Sequence, residues 1–248
     1  MTRRPTLEAV LFDAGGTLVR LDYEWMSAAV RALGHVLDAD ALRRAEVAGR
    51  RAYEAVLDRP GADPAGPREL NDASRYFRAM LAAAGAPPPV VARALERWLD
   101  RQSGPGLWTR PAEGARDCLD ALGRLGLRLA CVSNSDGRAE EHLAACDLRR
   151  GLEFVVDSHH VGMAKPAPGI FRVALERLGL PGERVLYVGD LRRVDGAGAR
   201  GAGLHFVLLD PYGDYAGPGE PAVDGIVRLP AWVAANFALG APGSRGAG

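Results

Sequence analysis

The chain has 248 residues, enough for one large α/β domain or a core with a small insertion, and its three cysteines lack metal-ligand spacing. Its 31 basic and 31 acidic side chains give a formal net charge of zero, so neither nucleic acid nor an anionic membrane is an expected partner. No apolar stretch approaches the roughly 20 residues of a membrane span or resembles a signal peptide, so we expect a cytoplasmic location.

Short apolar runs that end in small or polar residues recur along the chain and predict the buried strands of a parallel sheet. These runs are Ala9–Phe12, Leu127–Val132, Leu152–Val156, Val185–Val188 and Leu204–Leu209. Apolar residues at helical spacing between the later runs predict helices over Glu113–Leu125, Arg138–Cys146 and Ile170–Leu178. The alternation predicts a doubly wound α/β sheet whose functional site lies at the carboxyl ends of its strands.

The stretch from about Leu21 to Trp108 breaks this alternation, because it is rich in Ala, Arg and Leu at helical spacing and contains no predicted strand. We therefore expect an α/β core at 1–20 and 109–239 with a helical cap domain inserted at 21–108. Hinges are expected near Val19–Asp22 and Gly104–Arg110, and Pro- and Gly-rich interruptions at Pro60–Pro67 and Pro87–Pro89. The Gly- and Ala-rich tail, 240–248, is expected to be disordered.

Polar side chains follow four of the predicted strands. In chain order they are Asp13, Ser133, Asn134, Lys165, Asp190 and Asp195. Each residue alone is weak evidence, because an acid or a serine at a strand end is often a helix cap or a turn residue. Lys165 stands out as the only lysine of the chain. Because the carboxyl ends of parallel strands meet at one edge of a sheet, the set predicts a single site.

These residue types suit phosphoryl transfer. A carboxylate such as Asp13 can attack phosphorus and form an acyl phosphate, which splits one difficult displacement into two easier ones. The glycines that follow it let backbone N–H groups approach phosphoryl oxygens. Lys165 can supply a positive charge to balance Asp13 and contact the phosphoryl group, while Ser133 and the N–H of Asn134 can donate hydrogen bonds to it.

The chain resembles the haloacid dehalogenase superfamily, most closely its phosphatase-like branch with a helical cap inserted after the first motif. The resemblance covers roughly residues 9–209, and all four family motifs occur in order. The first motif matches Asp13-Ala14-Gly15-Gly16-Thr17. The later motifs match Ser133, Lys165 and the acid pair Asp190 and Asp195. The resemblance implies a Rossmann-like core and a Mg²⁺-dependent hydrolase of a small phosphorylated molecule with an aspartyl-phosphate intermediate.

The resemblance also implies a role for each matched residue. Asp13 and Lys165 are the expected catalytic residues. The phosphoryl group is expected to be bound by Ser133, Asn134, Lys165 and Gly16. The expected Mg²⁺ ligands are Asp13, Asp190 and the backbone carbonyl of Gly15. Thr17 is expected to hold Asp13 through a hydrogen bond in the loop, and Asp195 to orient Lys165 or a metal-bound water.

Gly15 departs from the family pattern. Phosphatase members place a second aspartate here, which protonates the leaving oxygen and then activates water. General acid–base catalysis contributes about 10²–10⁴ in rate, so its loss predicts slow hydrolysis of substrates with poor leaving groups. Asp22, Glu24 or another cap residue is an expected replacement. Among the aromatic residues of the cap, Tyr23 and Trp25 are expected to face the cleft.

Two other functions stay open. A catalytically weak phosphate-binding or regulatory protein would keep the phosphate site with little turnover. A 2-haloacid dehalogenase would also lack the second aspartate and would need no metal, but its resemblance implies a neutral residue where this chain has Asp190. Phosphonate hydrolases that form an imine with a cap lysine are nearly excluded, because Lys165 is the only lysine.

Overall fold

A computed structural model describes residues 4–58 and 73–240 of the chain. The strands are β1 Thr6–Leu7, β2 Ala9–Phe12, β3 Val19–Leu21, β4 Trp108–Pro111, β5 Arg128–Ser133, β6 Val155–Asp157, β7 Val185–Gly189, β8 His205–Leu209, β9 Ala222–Val223 and β10 Ala238–Leu239. The central sheet has the strand order β6-β5-β2-β7-β8-β9, and every neighbouring pair in it is parallel. The predicted α/β fold with a parallel sheet is confirmed.

The helices flank this sheet or lie between β3 and β4. They are α1 Tyr23–Arg31, α2 Ala39–Glu54, α3 Ser74–Ala83, α4 Pro88–Ser103, α5 Ala115–Arg124, α6 Ala139–Ala145, α7 Ser158–Val161, α8 Pro168–Leu178, α9 Ala197–Gly201 and α10 Leu229–Asn236. Short 3₁₀ turns lie at Ala55–Asp58, Arg149–Gly151, Gly182–Arg184 and Ile226–Arg228, and a π turn lies at Arg192–Gly196. Within residues 4–58 and 73–240, every helix is too short or too polar to cross a lipid bilayer.

Both faces of the sheet are buried, as a continuous apolar strand requires. In β2, Val10 and Phe12 pack into one apolar cluster with side chains of α5 and α10, while Ala9 and Leu11 pack into a second with side chains of α8. Most predicted strands match the structure to within one residue. The strand predicted at Leu152–Val156 begins later, at Val155, because Leu152 follows directly on a 3₁₀ turn.

The segment between β3 and β4, residues 22–107, is here named the helical insertion. Its helices α1–α4 enclose an apolar cluster of their own around Met26, Phe77 and Trp98. The hinges predicted at its two ends pair as antiparallel strands, with Arg20 opposite Arg110 and a register shift next to Leu21. The chain therefore enters and leaves the insertion through one two-stranded ribbon.

Two predicted irregular segments fall partly outside the described residues. The interruption at Pro60–Pro67 and residues 241–248 of the tail are not among them. The interruption at Pro87–Pro89 separates α3 from α4, and Pro88 is the first residue of α4, where the missing N–H costs nothing. Gly240 donates its N–H to the carbonyl of Leu7, which ties the end of β10 to β1.

Candidate active site

Three buried acids meet at the carboxyl ends of β2 and β7. These two strands are neighbours, with Phe12 opposite Val188, so Asp13 and Asp190 emerge side by side. Asp195 follows in the π turn after β7. One carboxylate oxygen from each of the three acids lies within 4.8 Å of the others, and none of the three residues is more than 5% exposed. The structure thus brings these three residues together at one edge of the sheet, as expected.

Lys165 lies inside this cluster and is 1% exposed. Its Nζ donates to Oδ1 of Asp13 at 2.7 Å, to Oδ1 of Asp195 at 2.7 Å and to the hydroxyl of Tyr187 at 2.9 Å. An ammonium has three N–H groups, so all of its donors are used. Tyr187, which the sequence analysis did not single out, in turn donates to the carbonyl of Val132 at 2.7 Å.

Asp195 is fully engaged by groups of its own chain. Its Oδ1 accepts from Lys165, while its Oδ2 accepts from the backbone N–H groups of Asp190 at 3.1 Å and Leu191 at 3.0 Å. The π turn at Arg192–Gly196 brings the carboxylate back over these two amides. This arrangement suits a residue that orients Lys165 rather than one that binds an ion directly.

Asn134 fixes the loop that carries the lysine. Its side-chain Oδ1 accepts from the N–H of Lys165 at 2.7 Å, and its Nδ2 donates to the carbonyl of the same residue at 2.9 Å. Ser133, the last residue of β5, is buried and lines the same cavity as Asp13. The neighbouring strand end therefore both faces the site and positions its lysine.

Gly16 leaves space for Asp190. Its φ is +82°, a value that favours glycine, and a Cβ built there would lie 2.2 Å from Oδ2 of Asp190. Its N–H donates to the carbonyl of Val19 at 2.8 Å, so this amide already has a partner other than the expected phosphoryl group. The structure thus gives Gly16 a steric task in place of the predicted hydrogen bond.

Thr17 makes its hydrogen bond within the loop through its backbone, because its N–H donates to the carbonyl of Ala14 at 3.3 Å. Among the described residues, the buried hydroxyl of Thr17 has no hydrogen-bond partner. The turn is closed by backbone groups instead, since the N–H groups of Leu18 and Val19 both donate to the carbonyl of Ala14 at 2.9 Å. Asp13 is anchored through its own N–H, which donates to Val188 at 2.9 Å.

A cavity of about 200 Å³ lies over these residues and is closed on one side by the helical insertion. Its aromatic wall consists of Tyr53, Tyr76 and Trp108. The expectation for Tyr23 and Trp25 is wrong, because neither lines the cavity. The Tyr23 hydroxyl instead donates to a buried glutamate, and the Trp25 ring packs under a guanidinium.

Trp108 covers Gly15 at the position where phosphatase members of the resembled family place their second aspartate. A Cβ on Gly15 would lie 3.2 Å from Cδ1 of the indole, which is a tight contact. The proposed substitutes lie elsewhere: Asp22 caps α1, Glu24 is exposed, and neither lines the cavity. His142 does line it, and burial lowers the pKa of its imidazole.

Asp190 also meets a cation from the helical insertion. Nε of Arg50, on α2, lies 3.1 Å from Oδ2 of Asp190, and both side chains are at most 5% exposed. Oδ1 of Asp190 is buried and has no hydrogen-bond partner among the described residues. No motif marks Arg50; the only signal in the sequence is its position four residues after Glu46, on the same helix face.

Glu46 anchors Arg50 within the insertion. Its Oε2 lies 3.5 Å from Nη2 of Arg50 and 2.9 Å from Nη2 of Arg20, and it accepts hydrogen bonds from the hydroxyls of Tyr23 and Tyr76. Burial alone would raise the pKa of Glu46, but the two guanidiniums hold it below its ordinary value of 4.5. The ionised form is therefore stabilised by folding.

Replacement of this glutamate, Glu46→Gln, should lower the free energy of unfolding at neutral pH by about 3–5 kcal/mol, because two buried guanidiniums lose their shared partner. A lowered pKa stabilises the fold above the ordinary value and loses that effect as pH falls through the folded value. The difference between variant and wild type should therefore shrink below pH 4.5. Urea unfolding at several pH values measures this, with the exposed Glu24→Gln as control; a constant difference would contradict the assignment.

Burial makes the ionised forms of two acids of the site less stable. Burial raises the pKa of Asp13 to about 6 although Lys165 opposes the shift, and burial raises the pKa of Asp190 to about 8 although Arg50 opposes it. A buried carboxylate oxygen without a partner, beside a second carboxylate, is a donor set of hard oxygen atoms. Such a set fits Mg²⁺, which prefers a few carboxylates, waters and substrate phosphate.

Comparison with known proteins identifies the family. The family model described as haloacid dehalogenase-like hydrolase matches residues 7–203. The chain belongs to this family. The four motifs predicted this family.

Individual haloacid dehalogenase-like relatives differ in how much of the chain they match. The chain is 32% identical over 217 residues to phosphoserine phosphatase of Thermus thermophilus, which covers 83% of this chain and 82% of that one. It is 44% identical over 98 residues to haloacid dehalogenase-like hydrolase domain-containing protein 3 of Xenopus laevis, and the match spans 40% of each chain. The chain thus spans about two fifths of the length of that relative.

Among solved structures, the L-2-haloacid dehalogenase of Xanthobacter autotrophicus has a similar fold. The TM-score is 0.59 at 19% identity, and the match covers 94% of this chain and 100% of that one. A likeness at this identity supports the fold alone. Phosphatase and dehalogenase activities must therefore be distinguished by the residues of the site.

Proposed function

We propose that the protein is a Mg²⁺-dependent phosphatase that hydrolyses a small phosphorylated molecule through an aspartyl-phosphate on Asp13. The observation that carries the proposal is the buried cluster of Asp13, Asp190 and Asp195, whose carboxylate oxygens lie within 4.8 Å of one another and which includes an Oδ1 of Asp190 with no hydrogen-bond partner among the described residues. The phosphatase relative that matches most of the chain supports the same class.

Asp13 is the proposed nucleophile, because it faces the cavity and is fixed by the end of β2. Its free carboxylate oxygen attacks phosphorus, the bond to the leaving oxygen breaks, and water later opens the acyl phosphate to release inorganic phosphate. Lys165 holds Oδ1 of Asp13 in place and supplies positive charge beside the phosphoryl group. The Ser133 hydroxyl and the Asn134 N–H would bind a phosphoryl oxygen.

Asp13, Asp190 and the carbonyl of Gly15 would hold Mg²⁺. When bound, Mg²⁺ supplies charge that offsets the repulsion between an anionic nucleophile and an anionic substrate. Asp195 keeps Lys165 oriented, and Gly16 leaves the space that Asp190 needs. We further propose that the helical insertion acts as a cap, since Tyr53 and Tyr76 close the cavity above Asp13 and would exclude water.

Dehalogenation is the less favoured activity. The dehalogenase members of the resembled family are expected to carry a neutral residue at the position of Asp190, whereas this chain keeps a third acid within 4.8 Å of Asp13 and Asp195. A phosphate-binding protein with little turnover is the other alternative, and the loss of the acid at Gly15 favours it. The intact set of Asp13, Lys165 and Asp195 favours the enzyme.

A screen of phosphorylated metabolites and an aryl phosphate tests the proposal. We expect Mg²⁺-dependent release of inorganic phosphate that EDTA abolishes and excess Mg²⁺ restores. The Asp13→Asn variant should lose at least about 10³-fold in kcat, because the amide cannot act as the nucleophile. Wild-type activity in Asp13→Asn, or activity on a 2-haloacid with none on any phosphate ester, would contradict the proposal.

A further inference from the structure

Arg50 places a positive charge on the carboxylate that the proposed metal site requires. It lies in the last turns of α2, and its Nε approaches Oδ2 of Asp190 at 3.1 Å. The contact joins the helical insertion to the core. Asp190 thus has one oxygen facing a guanidinium and the other, Oδ1, buried without a partner among the described residues.

Residues in and next to the helical insertion hold the Arg50 side chain in place. Glu46, one turn earlier on α2, pairs with Arg50 at 3.5 Å and is itself held by Arg20 and the hydroxyls of Tyr23 and Tyr76. Glu46 thus contacts Nη2 of Arg50, and Asp190 contacts Nε. The contact with Asp190 is a buried ion pair and not a hydrogen bond, because Nε of Arg50 has no hydrogen-bond partner among the described residues.

Asp190 has little freedom to move away from this cation. Its carboxylate packs against the backbone of Gly16, where even a methyl group would overlap it. A ligand that approaches Oδ2 of Asp190 therefore meets Arg50, whereas Oδ1 has no hydrogen-bond partner among the described residues. The end of α2 has a second contact with the core, because Glu54 accepts hydrogen bonds from the N–H of Arg193 at 2.5 Å and from the hydroxyl of Tyr215.

The charges of the buried network set the direction of the effect. Its four carboxylates and three cations are Asp13, Asp190, Asp195, Glu46, Lys165, Arg50 and Arg20. With all four carboxylates ionised, as coordination of a cation by Asp190 requires, the network is one positive charge short, so a divalent cation at Asp190 would leave an excess of one. Arg50 is the cation of this network that is paired with Asp190, at 3.1 Å. Two cations on one carboxylate repel each other.

We propose that Arg50 competes with the divalent cation for Asp190, so that the helical insertion sets the metal affinity of the active site. The inference rests on the proposed metal site. Binding of the cation would favour withdrawal of Arg50 from Asp190 toward Glu46, because the two positive charges repel each other. Arg50 acts through Asp190 and is a positioning residue of the site, not a group that touches the reacting atoms.

The test is a titration of the protein with Mn²⁺ alone, in which electron paramagnetic resonance measures the concentration of free Mn²⁺. Arg50→Gln should bind Mn²⁺ at least 10-fold more tightly than wild type, while Arg50→Lys, which keeps the charge, should stay within 3-fold. Arg44→Gln is the matched control, because Arg44 is an exposed arginine of the same helix. It should not change the affinity.

Folding of each variant is checked by circular dichroism. If Arg50→Gln does not fold, the double variant Glu46→Gln/Arg50→Gln removes one charge of each sign and should still bind Mn²⁺ more tightly than Glu46→Gln alone. Equal or weaker binding after loss of Arg50 overturns the competition.

Asp190→Asn separates this inference from the proposed function. If Asp190→Asn abolishes Mn²⁺ binding and Arg50→Gln leaves the affinity unchanged, the competition is overturned while the metal site stands. If neither wild type nor Arg50→Gln binds Mn²⁺, both the competition and the proposed metal requirement are overturned.

Discussion

Replacement of the single lysine, Lys165→Met, is expected to lower kcat/KM for an aryl phosphate by at least about 10²–10³-fold, the cost of losing one preorganised charged donor. The ammonium bonds Asp13, Asp195 and Tyr187 at once. Its loss leaves two buried carboxylates without their shared partner, so the free energy of unfolding should also fall by about 3–5 kcal/mol.

Tyr187→Phe is the matched control for this prediction. It removes one acceptor of the ammonium and leaves the ion pairs with Asp13 and Asp195 in place. We expect a smaller loss in kcat/KM than for Lys165→Met, because the ammonium keeps both carboxylates and loses one hydrogen bond, which contributes about 1.5–3 kcal/mol when one partner is charged. Steady-state kinetics and urea unfolding measure both effects. Activity of Lys165→Met close to that of wild type would remove the lysine from the mechanism.

The second large effect concerns the leaving group. Because Gly15 cannot donate a proton, aryl and acyl phosphates should be hydrolysed about 10²–10⁴-fold faster than sugar phosphates, the range that general acid catalysis contributes. Stopped assays of phosphate release with the two substrate classes measure this ratio. Equal rates would show that another group that lines the cavity supplies the proton.

Restoring an acid at position 15 tests the same idea in the opposite direction. The indole of Trp108 lies where the new side chain must go, with 3.2 Å between its Cδ1 and a Cβ on Gly15. We therefore expect the double variant Gly15→Asp/Trp108→Ala to hydrolyse alkyl phosphates faster than its control, Gly15→Ala/Trp108→Ala. No gain in the aspartate variant would indicate that position 15 does not limit the rate.

The positions at strand ends could be predicted because they follow from local patterns and one topological rule. Asp13, Ser133 and Asp190 each end a short apolar run, and parallel strands bring such ends to one edge of the sheet. The lysine was found because it is the only one in the chain. These inferences needed no knowledge of how distant segments pack.

Residues that act through packing between the insertion and the core were missed. Tyr187 is one of several apolar residues in β7, and only the fold turns its hydroxyl toward Lys165. Arg50 and Trp108 reach the site because the two-stranded ribbon of β3 and β4 folds the insertion back over the strand ends. The sequence did not indicate that Thr17 makes its loop hydrogen bond with its N–H and leaves its hydroxyl without a partner among the described residues.

The central claim, that Asp13 carries the phosphoryl group during turnover, is tested most directly by mass spectrometry. The protein is mixed with an aryl phosphate and Mg²⁺, quenched in acid and digested. We expect one added phosphoryl group on the peptide that contains Asp13, and none in Asp13→Asn. Continued release of phosphate without any adduct on Asp13, or an adduct on another residue, would contradict the account.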